Sequence, residues 1–121
     1  QAADKALEAM LKAAQALLKV VNVDISDDPD VIVRDFRTYF YDTQLFFDPF
    51  AKGKFASYLF NAHQQREQPA DQDRAKQLIE ESRLFIEAAH ECNTRMVQAN
   101  ITSPASFKRW LMDQQMESAK A

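Results

Sequence analysis

Three side chains late in the chain have the types and spacing for acid–base or phosphate chemistry: Arg83, Glu87 and His90. A guanidinium carries a permanent positive charge in a planar fork that fits phosphate, and imidazole changes charge nearest to neutral pH. All three fall within Asp71–Asn100, where Ala75, Leu78, Ile79, Ser82, Phe85, Ile86, Ala89, Asn93 and Met96 recur at the steps of one helix face. With Ser82 at the middle of that stripe, His90 lies about 80° round the helix, Arg83 about 100° and Glu87 about 140°. Arg83 and His90 are then two turns apart, roughly 10 Å along the axis. The three form a polar ridge beside the core stripe. Its ordinary reading is a solvated edge with Glu87 paired to Arg83 at i, i+4. Its chemical reading gives His90 the role of general acid or base and Arg83 the stabilisation of phosphate charge.

Other chemistry fares less well. Glu87-Ala-Ala-His90 has the i, i+3 spacing that lets a carboxylate and an imidazole share one metal. Di-iron bundles need that motif twice, and the other histidine, His63, has Phe60 three residues before it. No metal site is therefore expected. His63 falls at a helix C-terminus, where a histidine suits the dipole, and reads as structural. Cys92 is the one cysteine, so there is no internal disulfide and no four-cysteine zinc or iron–sulfur site. It reads as a buried, inert thiol. A small-ligand or metal pocket lined by Tyr39, Tyr58, Glu87 and His90 stays open as a third reading. Phe46-Phe47-Asp48-Pro49-Phe50 is a dense aromatic corner, either core packing or an exposed docking patch.

The elements that would carry these groups are helices. A 121-residue chain that is 46% hydrophobic and 27% charged suits one globular domain with its own core. The single glycine, Gly53, leaves no glycine-rich phosphate loop and few tight turns for a β-sandwich. Net charge of −3 argues against charge-driven binding to nucleic acid or to anionic membrane. Cysteine usage fits a reducing, cytoplasmic compartment, and no apolar run reaches the ~20 residues of a membrane span. The chain opens on Gln1 rather than methionine, which reads as a piece excised from a longer polypeptide.

A first helix is expected over 2–21, with Leu7, Met10, Leu11, Ala14, Leu17, Leu18 and Val21 as its stripe. Asp28-Pro29 reads as cap and first turn of a second helix, 29–46. Asp48-Pro49 repeats that signal for a third, 49–65, with Phe50, Phe55, Tyr58, Leu59 and Ala62 inward and Gly53 weakening its first turns. The long fourth helix follows a polar connector, and Ser103-Pro104 opens a fifth whose tail frays from Glu117. The expected fold is all-α, a compact antiparallel bundle of about five helices.

Arg83 followed by His90 on a late helix of a small bundle resembles the arginine–histidine signature of HEPN domains. Some HEPN domains are dimeric, metal-independent ribonucleases; others only bind nucleotides or partners. Leu84 stands where that signature often has a polar residue. The stretch from Asp35 to His63, together with Leu84-Phe-Ile-Glu-Ala-Ala-His90, is similar to a helical domain appended to some bacterial nitrite/sulfite reductase haemoproteins. That resemblance implies a non-catalytic accessory domain with no cofactor of its own. Its partner would be the parent reductase or a second copy of itself, and Arg83, Glu87 and His90 would be structural or a binding edge. The HEPN alternative makes Arg83 and His90 catalytic or nucleotide-binding residues.

Overall fold

Asp28 accepts a hydrogen bond from the amide of Asp30 at 2.9 Å, so the first proline-marked helix start is a working cap. The computed structural model describes residues 2–22 and 24–120; Gln1, Val23 and Ala121, with the expectations that fall on them, lie outside it. The chain is all-α. Its helices are α1 (Ala2–Val21), α2 (Pro29–Phe36), α3 (Lys54–Gln64), α4 (Gln72–Gln98) and α5 (Pro104–Lys120), with a π-helical turn, Arg37–Tyr41, continuing α2.

α4 is the spine. It packs most extensively on α1 and next on α3, and the short connector 65–71 turns α3 back along it as an antiparallel pair. The first turns of α1 and α4 and the last turn of α3 meet at one end of the molecule. Asp71 caps α4 by accepting from the Arg74 amide at 2.8 Å. Ser103 and Ser106 cap α5 reciprocally: each side-chain oxygen accepts from the other residue's amide, at 3.1 and 2.9 Å.

The core is a ring cluster. Phe36 stacks on Phe40 and meets Phe46, Phe60 and Phe85, with centroids 5.0–6.2 Å apart. Each buried ring contributes roughly 1.5–3 kcal/mol by leaving water. Met10, Leu59, Met96 and Ile101 fill the space round them. Arg37 lies 4.0 Å over the Phe60 ring, closing one edge of the cluster with a cation–π contact.

Several sequence expectations need correction. The second helix does not run on to Phe46. It widens at Arg37, where the Asp42 amide donates to Arg37 O at 2.8 Å, and it ends before Gln44, whose φ is 63°. The chain then folds back so that Phe46 enters the core, its amide bonded to Phe40 O at 3.0 Å. The third helix starts at Lys54 rather than Pro49, because Asp48 spends its carboxylate inside a tight turn and Lys52 adopts a left-handed φ of 58°. Phe50 consequently points outward instead of in. Gly53 does not kink a helix; it precedes α3 and lets Tyr41 come close, since a Cβ there would sit 2.9 Å from Tyr41 Cε1. Along α4, Cys92 is buried as its reading implied, while Ile79 and Asn93, read as part of the core stripe, are exposed. α5 is helical over Pro104–Lys120.

Candidate functional site

The sequence ridge is present on the outer surface of α4. Arg83, Glu87 and His90 are all exposed. Arg83 Nη1 donates to Glu87 Oε1 at 2.7 Å, the i, i+4 pair that the spacing predicted. On the preceding turn, Nε and Nη2 of Arg83 donate to the two oxygens of Glu80. Glu80 is the residue that sequence reasoning missed; its i, i+3 distance from Arg83 was the available signal. The hydrogen bond from Arg83 holds the Glu80 carboxyl below its ordinary range, and Glu80 in turn raises Arg83. The guanidinium is thus engaged on both sides by carboxylates that would compete with a phosphate.

His90 is joined to this network by no described side-chain contact. Its backbone carbonyl accepts from Thr94 Oγ1 at 3.1 Å. The structure therefore brings Arg83 and Glu87 together and leaves His90 one turn beyond, on the same solvent side.

The aromatic corner divides. Phe46 is core, Phe47 is half-buried beside Tyr41 at 6.0 Å, and Phe50 is 95% exposed. That exposure is held by a built loop. Asp48 Oδ1 accepts from the amides of Phe50 and Ala51, both at 2.8 Å, and Asp48 and Lys52 exchange backbone hydrogen bonds at 3.0 and 2.9 Å. The Ala51 and Phe50 amides, aided by Arg95, keep the Asp48 carboxyl below its usual range. Behind the loop, Cys92 Sγ contacts Leu45 O at 3.5 Å and Arg95 donates to Phe47 O at 3.3 Å. The loop is therefore moored to the C-terminal half of α4. Burial pushes the Cys92 thiol up to about 11, so it is protonated and inert at neutral pH.

At the opposite end lies a cleft of about 600 Å³ that no sequence motif announced. Leu7 of α1, Ala62 of α3 and Leu78 of α4 give it apolar walls, Pro69 closes the connector side, and Arg66 and Arg74 supply its cations. Arg66 is tied to His63 O at 2.7 Å and to Asp30 at 3.4 Å. His63 Nε2 meets the same Asp30 oxygen at 2.8 Å, so this histidine fastens α3 to α2, the structural part expected of it. Tyr39, Tyr58, Glu87 and His90 line neither this cleft nor the small one at Phe47, Phe55 and Arg95; Tyr39 packs on Phe107 and Tyr58 on Phe55. Among the described residues no group of three or more His, Cys, Asp or Glu is placed to hold a metal ion, and no helix is long and apolar enough to cross a membrane. No family model, curated protein or solved structure matches the chain.

Proposed function

We propose that this chain is a non-catalytic helical accessory domain that associates with another polypeptide, with Phe50 as an anchor of the contact. The observation that carries the reading is the 95% exposure of Phe50 on a loop fixed by its own hydrogen bonds. A rigid exposed aromatic loses little conformational freedom on docking, and aromatic anchors of this kind dominate interface energetics. The resemblance to the helical domain of nitrite/sulfite reductase haemoproteins suggests the parent reductase as the partner, with a second copy of the domain as the other candidate. The test is a photo-crosslinking amino acid at position 50 in the domain joined to, or mixed with, the reductase portion. A crosslink to that portion or to a second copy, weakened association in Phe50→Ser and unchanged helix content support the reading. An absence of crosslinks, with Phe50→Ser behaving as wild type in sedimentation, sinks it.

The HEPN-type reading is favoured by one observation, the exposure of His90 on the same side as Arg83. It requires a partner to displace Glu80 and Glu87 from Arg83. RNA cleavage by the wild-type chain that disappears in His90→Ala would establish it; equal background in both would end it.

A further inference from the structure

We infer that the cleft between the first turns of α1 and α4 and the last turn of α3 is a binding site for a carboxylate carried on a short aliphatic stem. The cleft is lined by two arginines, Arg66 and Arg74, and two aspartates, Asp4 and Asp71, and Asp4 has a partner of its own. Arg66 is engaged by Asp30 and a backbone carbonyl. Asp71 is turned inward as the cap of α4, bonded to the Arg74 amide. The Arg74 guanidinium differs: Nη2 donates to Gln65 Oε1 at 2.7 Å, and no carboxylate among the described residues pairs with it. That neutral partner orients the guanidinium without neutralising it, leaving donors in the planar fork that matches a carboxylate in bidentate fashion. A cation in the first turn of a helix also opposes the helix dipole, so Arg74 gains nothing there from its own helix.

The walls select the rest of the ligand. Leu7, Ala62, Ala75 and Leu78 offer aliphatic surface. A volume of about 600 Å³ falls within the roughly 300–1,000 Å³ of small-molecule clefts. None of the ring-rich core reaches it, so the fit is to a stem of a few methylenes rather than to a stacked base. The ridge at Arg83 makes the contrast on the same helix: there the guanidinium is held by two carboxylates.

A free carboxylic acid and the C-terminal residue of a peptide present the same chemistry. Calorimetric titration of the whole chain with hexanoate, and with acetyl-leucyl-leucine as its acid and its amide, separates them. Amide shifts in an NMR spectrum locate the contact. The expected result is that hexanoate or the peptide acid binds, with shifts at Leu7, Ala62 and Ala75, and the tighter of the two names the source. Acetate and hexanol, each lacking one half of the ligand, bind at least tenfold more weakly. Arg74→Gln lowers the affinity about tenfold or more, while Arg83→Gln leaves it unchanged. Ala75→Phe, which fills the cleft without touching the charge, abolishes binding and guards against misreading an unfolded Arg74 variant. Binding of the peptide amide as tightly as the acid, shifts elsewhere on the surface, no binding of any probe, or full affinity in a folded Arg74→Gln overturns the proposal.

Discussion

Two faces of α4 lie one residue apart in sequence and about 100° apart round the helix. Leu78, Ser82, Phe85, Ala89, Cys92 and Met96 point inward and are buried. The next residue in each case gives Ile79, Arg83, Ile86, His90, Asn93 and Val97, of which only Ile86 is half-covered; Ile79 is 49% and Val97 55% exposed. Both rows mix apolar and polar types. The difference between them is what packs against them: rings from Phe36 and Phe46 on the inward row, solvent and charged neighbours on the outward one. Side-chain type alone therefore does not tell structure from surface on this helix.

Substitutions on the two rows should separate sharply. Phe85→Ala empties a site in contact with two other rings and should cost about 3–5 kcal/mol in urea or guanidinium unfolding. A loss below about 1 kcal/mol would mean that the cluster collapses to fill the gap and that the inward row is less committed than it looks. Between the faces stands the helix end itself: Asp71→Ala removes the cap of α4 and should cost about 1 kcal/mol.

The Phe50 loop should respond locally to pH. Its Asp48 carboxyl titrates below the ordinary 3.8, so the ionised form is favoured by the folded loop. Its contribution is present above 3.8 and is lost as pH falls through the lower folded value. Amide exchange at Phe50 and Ala51 should speed up below that pH before α4 opens, and Asp48→Asn should blunt the change. At the bottom of the scale, Arg83→Ala should leave the unfolding midpoint within measurement error, since exposed ion pairs contribute little. A large loss there would show that Arg83 supports the fold in a way its present contacts with Glu80 and Glu87 do not.

The two rows also explain what was legible in the sequence. Helix periodicity located both ends of α1, and Asp28-Pro29 and Ser103-Pro104 the starts of α2 and α5, because caps and stripes are local. The stripe read along α4 included Ile79 and Asn93, which belong outside, because their inward neighbours differ from them by a single residue step. Asp48-Pro49 carried the same signal as Asp28-Pro29 and meant something else. An aspartate can cap a helix or close a turn on its own following amides, and the deciding feature was Lys52 turning left-handed four residues on. The Arg83–Glu87 pair was readable from spacing. The cleft was not, since Leu7, Ala62 and Arg74 come from three helices and share no motif.

The turn at Arg37–Tyr41 is wider than an α-helical one. An α-helix closes each ring over four residue steps; here the bond from Asp42 to Arg37 spans five, so the segment holds one residue more than a regular helix of the same span would. A gene shortened by one codon within 37–41 could still close every backbone bond as α-helix. Because the wide turn absorbs the extra residue, such a deletion would leave the chain after it in nearly the same direction, with Phe46 still on the Phe36 ring and the Asp48 loop still beside Arg95. The wide turn thus takes up a surplus residue without resetting the chain that follows. The direction in which Phe50 faces is decided by its own loop, at Asp48 and Lys52.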